Sequence, residues 1–177
     1  MISRTKEKLA EAFKNVVGRK TFAKTTIVDI TTECGMTREN FYYHFHDKYE
    51  ILKWVCQNEL VLCIPETINK KTVEEAIIRL VGVINKDYKF YRTIVKDLGE
   101  EQVRQAALPY VRKLTEKLVG ETIDESIWKM RREKESFAAE FFSDAFIAYF
   151  TTYLLNHEKM DQQIMVMNVR FLFTQFF

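Results

Sequence analysis

Residues 25–52 read TTIVDITTECGMTRENFYYHFHDKYEIL, and the spacing of caps within this stretch decides the fold. Thr25 or Thr26 can accept a hydrogen bond from the free amides that open a helix, and Asp29 falls in the first turn, where negative charge is favoured. Ile27 and Ile30 face inward, and Gly35 suits the position just past a helix end. A second start follows at once. Thr37 is its cap, with Met36 before it and Phe41 four residues after it placed as a hydrophobic staple. Phe41 and Phe45 share a face, which leaves Arg38, Asn40, Tyr42 and Tyr43 around the other sides. Asp47 and Glu50 then resemble a capping box ahead of an apolar helix through Ile51, Leu52, Val55, Cys56 and Leu60.

Upstream, TKEKLAEAFKNVVGRK puts Leu9, Ala12, Phe13, Val16 and Val17 on one stripe of an amphipathic helix, with basic residues on its other side. Residues 4–45 therefore hold three short helices, the second and third joined by a tight turn at Gly35. That is a helix-turn-helix arrangement, and residues 1–46 form the expected head. The charge agrees with it. Arg4, Lys6, Lys8, Lys14, Arg19, Lys20 and Lys24 face only Glu7 and Glu11 in the first 24 residues, while the rest of the chain is slightly acidic. A basic amino-terminal segment suits a polyanionic partner.

Downstream, residues 47–177 read as a helical body. Val73 to Tyr91 carries Ala76, Ile77, Leu80, Val81, Ile84 and Tyr88 at helical spacing, and the polar stretches near 97–104 and 119–126 suit loops or helix ends. The last third is apolar on several faces and needs cover on several faces. It predicts a homodimer formed through Phe142, Phe146, Tyr149, Phe150, Met165, Val169 and Phe173. Trp54, Phe90, Tyr91, Trp128 and Phe137 are candidate linings of a small-molecule pocket in this body.

With 5 Gly and 2 Pro among 177 residues, the chain is too poor in turn-formers for a sandwich or barrel, so the fold class is all-α. The three cysteines make no CxxC pair and suggest no disulfide framework. No apolar run is long enough to span a membrane, and the polar start MISRTKEKLAEAF is unlike a secretory signal, which predicts a cytoplasmic protein. His44 and His46 would point about 200° apart on a helix, a poor pair of metal ligands. No nucleophile–base pattern or phosphate-cradling glycine loop is visible, so neither an enzyme, a metal nor a cofactor is expected. Two functions of different class fit: a DNA-binding regulator, or a helical protein-interaction module whose helix-turn-helix is only scaffold.

The stretch 25–52 resembles the DNA-binding signature of the TetR (tetracycline-repressor-like) family. The resemblance lies in the Thr-initiated helix with Asp-Ile, the Gly-apolar-Thr turn, the aromatic pair followed by Phe, and Lys and Glu ahead of Leu. KFYRTIV (89–95) resembles a branch of Gram-positive regulators linked to dihydroxyacetone metabolism. The resemblance implies a homodimeric regulator, usually a repressor, that binds a double-stranded DNA operator and answers to a small-molecule effector of unknown identity. It also implies roles for particular residues. Thr26 and the amides after it meet phosphate. Thr37 caps the recognition helix, and Arg38, Glu39 and Asn40 in its first turn reach base edges. Tyr42, with Tyr43 and His44 alongside, and Lys48 contact the DNA backbone. Two positions depart from the family pattern. Val28 stands where many members carry an arginine, and Glu39 where a small residue is frequent.

Overall fold

The computed structural model describes residues 4–67, 70–122, 131–157 and 159–176. Helix α1 spans Arg4–Arg19, α2 Ile27–Cys34, α3 Arg38–His44 and α4 Lys48–Glu59. A 3-10 turn at Val61–Cys63 leads to α5 Lys70–Lys86, α6 Tyr88–Leu98, α7 Glu100–Thr122, α8 Arg131–Asn156 and α9 Gln162–Phe176. Among the described residues there is no strand, and no helix is long and apolar enough to cross a membrane.

The stripe of α1 is buried as its spacing predicts, with Leu9, Phe13 and Val17 fully enclosed. Each start in the quoted stretch is capped. Thr26 accepts from the Asp29 amide while Asp29 reaches back to the Thr26 amide, a complete capping box. Gly35 ends α2 in the left-handed conformation, φ 67°, and Thr37 accepts from the Asn40 amide to open α3. Asp47 accepts from the amides of Tyr49 and Glu50 at the start of α4. The return half of that last box is displaced, because Glu50 takes the amide of His46 instead of that of Asp47.

In the body, the apolar run from Val73 to Tyr91 is broken at Asp87. Asp87 stands before α6 with φ −119° and ψ 40° and makes no side-chain cap. Its carboxylate is committed to Lys14 of α1, 2.6 Å away. Gly99 (φ 81°) separates α6 from α7 with no intervening loop. Helices α7 and α8 pair antiparallel through the bidentate Arg104–Asp144 contact (2.8 and 3.0 Å) and the buried Thr115 and Ser143 hydroxyls. Helix α9 runs antiparallel along α5, tied by Arg170 to Glu74 and by the Gln162 amide to the Ile78 carbonyl.

One hydrophobic core runs from α1 to α9. Phe13 links its halves, edge-on to Phe22 at 6.2 Å and to Phe90 of α6 at 5.5 Å. Burying a ring of that size contributes about 1.5–3 kcal/mol over leaving it in water.

The packing bears on several of the residues expected to form the pocket and the interface. Met165 and Val169 are buried against the chain's own core, so they are not part of a surface open to a second copy. Phe90 and Tyr91 are buried where α6 meets α1 and α4, and Trp54 packs edge-on to Phe45 at 6.1 Å. These rings belong to the core shared by α1, α4 and α6. Phe137 is 70% exposed and stacks on Phe141 at the surface. Trp128 and the side chain of Phe173 lie outside the described residues.

Candidate nucleic-acid interface

Helix α3 is short, and its two faces do different work. Phe41 is fully buried beneath it, and Phe45, in extended backbone at its end, is buried beside Phe41 at 5.9 Å. These two rings hold the helix down, so the other residues must point outward. Arg38, Glu39 and Asn40 are exposed in its first turn, Tyr42 is 47% exposed and Tyr43 84% exposed. Tyrosines left this open on a short helix form a surface with an apolar body and a polar tip. The Arg38 guanidinium lies over the Tyr42 ring, 6.0 Å from its centre, which braces a long cation outward. His44 is half-buried, edge-on to Tyr43 at 4.9 Å.

Glu39 is exposed in the first turn of α3. Hydrogen bonds from its own backbone amide and from the Thr37 hydroxyl hold its carboxyl below the usual range. The carboxylate thus reinforces the cap of α3. Negative charge near a helix start is favoured by the free amides there, so the acid has a structural reason to sit at this position.

At the start of α2, Thr26 is exposed and its hydroxyl donates to Asp29 at 2.9 Å. Lys20 pairs with the same carboxylate at 2.6 Å. The bonds to Lys20 and Thr26 lower the Asp29 pKa to about 2. The amides of Ile27 and Val28 occupy the first helical positions, which have no partner within a helix and suit an anion. Val28 itself is 50% exposed.

Lys48 is not presented as a phosphate contact. Its ammonium donates to the carbonyls of Phe22 (2.8 Å), Ala23 (3.1 Å) and Thr25 (3.3 Å). An ammonium has three donors, and all are taken. The basic residues of the first 24 positions are also less free than their count suggests. Lys14 is buried between Glu59 and Asp87 (2.8 and 2.6 Å), Arg19 pairs with Glu33, and Lys20 with Asp29. The cations left on the outer side include Arg4, Lys8 and Lys24.

The structure therefore leaves Thr26, Thr37, Arg38, Asn40, Tyr42 and Tyr43 exposed on α2, α3 and their caps, and turns Lys48 inward. The box between Thr26 and Asp29 was readable from the Thr-x-x-Asp spacing. The inward turn of Lys48 was not, because its acceptors lie more than 20 residues away in sequence.

Two open surface clefts are lined mostly by polar and charged residues. One is lined by Asn85, Lys159, Met160, Asp161, Gln162 and Gln163, the other by Val16, Arg19, Lys20, Asp29, Thr32 and Glu33. Of the aromatics expected to line a pocket, Trp54, Phe90, Tyr91 and Phe137 border neither.

Comparison with known proteins agrees with this geometry. Residues 9–55 match the family model described as bacterial regulatory proteins, tetR family, and residues 71–175 match a transcriptional regulator C-terminal region. An uncharacterized HTH-type transcriptional regulator, YerO of Bacillus subtilis (strain 168), is 26% identical over 104 residues, 55% of this chain and 36% of that protein. The HTH-type dhaKLM operon transcriptional activator DhaS of Lactococcus lactis subsp. lactis (strain IL1403) is 22% identical over 90 residues, 51% of this chain and 48% of that one. The chain thus spans half or less of the length of these curated relatives.

Among solved structures, a dihydroxyacetone kinase operon activator DhaS shares the fold with TM-score 0.73 and 17% identity, over 97% of this chain and 96% of that chain. The fatty acid degradation regulator FadR from Bacillus halodurans does so with TM-score 0.72 and 14% identity, over 97% and 95%. With its amino-terminal helices and its body each matched over most of their length, the chain belongs to the TetR family of transcriptional regulators.

Proposed function

We propose that this regulator binds a double-stranded DNA operator as a homodimer and represses transcription until a small-molecule effector binds its body. Residues 1–46 would be the reading head and 47–177 the sensing and dimerising body. One observation carries the DNA reading: α3 is pinned by Phe41 and Phe45 while Arg38, Asn40, Tyr42 and Tyr43 stand outward beside the capped start of α2. Arg38 suits guanine and Asn40 adenine in a major groove, and the tyrosine hydroxyls suit phosphate. A protein-interaction module has no need of this set.

Support for the dimer comes from the uncovered sides of the last helices. Phe137, Phe141 and Tyr149 on α8, and Ile164, Met167 and Phe171 on α9, are large apolar residues at the surface. Effector control is supported by the fold shared with a regulator of fatty acid degradation and with an activator of a dihydroxyacetone kinase operon, roles tied to small-molecule metabolism. An effector acts only by binding the DNA-competent and incompetent arrangements unequally, by about 1–3 kcal/mol. DhaS is named an activator, which favours activation as the second reading of the sign. The DNA partner places the site of action in the cytoplasm.

Footprinting on DNA flanking the protein's own gene, with a salt titration, tests the proposal. The expected footprint has two half-sites about 34–36 Å apart, one turn of DNA, and an affinity that falls steeply with salt. A dimer that protects no site there, and selects none from a random pool, contradicts it.

A further inference from the structure

The loop between α1 and α2, residues 20–26, is gripped by two charges that stand at the wrong ends of their helices. Asp97 is in the last turn of α6, where exposed carbonyls disfavour an acid, and Lys48 is the first residue of α4, where free amides disfavour a cation. Each is compensated by the same loop. One Asp97 carboxylate oxygen accepts from the amides of Phe22 (2.6 Å) and Ala23 (3.3 Å). Lys48 donates to the carbonyls of Phe22, Ala23 and Thr25, and its ammonium lies 4.8 Å from the centre of the Phe22 ring.

The rest of the loop is closed too. The Lys24 amide bonds the Thr21 hydroxyl (3.1 Å), the Thr25 amide the Thr21 carbonyl (3.0 Å), and the Thr26 amide Asp29 (3.0 Å). Every amide from Phe22 to Thr26 thus has an acceptor. Phe22, 2% exposed, is wedged edge-on between Phe13 and Tyr49. The loop's last residue, Thr26, is the cap of α2 and aims that helix's first amides outward.

We infer that Asp97 and Lys48 are positioning residues for DNA binding: by clamping residues 22–25 from the body side, they set where the amino end of α2 meets the phosphate backbone. The inference rests on the DNA-binding function proposed above. It makes the carboxyl end of α6 a direct determinant of one group of phosphate contacts, separate from the bases faced by α3.

The experiment is phosphate-ethylation interference on a duplex that the wild-type protein selects from a random-sequence pool. Thr26→Ala marks the phosphates that depend on the start of α2. Asp97→Ala is expected to weaken binding about tenfold, to lose interference at those same phosphates, and to keep it at the others. Asp97→Asn, whose amide oxygen still accepts from the loop, should stay within about threefold of wild type. Lys48→Met, which keeps the apolar stem over Phe22 and removes the donors, should repeat the Asp97→Ala pattern. It decides the matter if Asp97→Ala does not fold.

Wild-type affinity and pattern in Asp97→Ala and Lys48→Met overturn the inference. So does a loss spread evenly over all phosphates, or one that only tracks the folded fraction measured by circular dichroism. A wild-type protein that selects no duplex fails the DNA reading itself. Selection by wild type with an unchanged Asp97→Ala pattern fails this inference alone.

Discussion

Lys14 shows how far one side chain can depart from the surface role its neighbours suggest. It lies on a basic helix, yet it is buried with Asp87 and Glu59 at 2.6 and 2.8 Å, and Tyr91 donates to the same Glu59 at 2.6 Å. The cluster joins α1 to the end of α4 and the start of α6. Removing the cation leaves two partly buried carboxylates facing each other, so Lys14→Met should cost about 3 kcal/mol, read from the midpoint of urea unfolding. A loss below about 1 kcal/mol contradicts the role. Burial pulls the Lys14 pKa down from 10.5, and the hydrogen bonds to Asp87 and Glu59 raise it by more, so the folded value lies above the free one. The stability contributed by its charge is therefore whole below pH 10.5 and is lost as pH rises beyond it. The margin of wild type over Lys14→Met should shrink only in that alkaline range. The sequence could not place Lys14 inside, since its partners lie 45 and 73 residues away. Arg38 and Tyr42 were legible because a capped helix with Phe41 beneath it leaves those positions no inward direction.

Helix starts depend on local chemistry, whereas the break between α5 and α6 depends on a distant contact. Thr26, Thr37 and Asp47 cap their helices within three residues of the amides they serve, so spacing located Thr37 and Asp47 and narrowed the first cap to Thr25 or Thr26. The break between α5 and α6 depends on Asp87 turning to Lys14, a contact the local pattern cannot carry. The two glycines with positive φ offer a test of element boundaries. A Cβ at either Gly35 (φ 67°) or Gly99 (φ 81°) meets nothing within 4 Å, so only backbone strain separates them. Gly35, with ψ 31°, lies in the left-handed helical region, where Gly35→Ala should cost about 1 kcal/mol. Gly99, with ψ 161°, lies in a region nearly closed to other residues, where Gly99→Ala should cost about 2–3 kcal/mol. Thermal melts should rank Gly99→Ala well below Gly35→Ala. The reverse order, or no difference, contradicts this account of the α6–α7 junction.

At the scale of the whole molecule, α6 touches both ends. Its Tyr88 hydroxyl and Arg92 guanidinium bond carbonyls at the end of α8, Leu154 and Leu155, while Phe90 and Asp97 meet the amino-terminal helices and their loop. The body's aromatic excess calls for cover on several faces, but does not say which faces the chain covers itself. Met165 and Val169 belong to the core, and Phe141 and Met167 to the surface. A Phe141→Glu, Met167→Glu double variant should sediment as a monomer with helical circular dichroism retained, and should lose operator affinity. Sedimentation as a dimer contradicts the proposed interface. The most direct test of the central claim is a competition assay that measures binding of wild type, Arg38→Ala and Tyr42→Phe to the selected operator and to unrelated duplex DNA. Arg38→Ala should lose about 1–3 kcal/mol of preference for the operator, relaxed at one base step, while Tyr42→Phe should weaken both duplexes alike. Unchanged preference in Arg38→Ala would contradict the claim, because α3 would then not be the element that reads DNA.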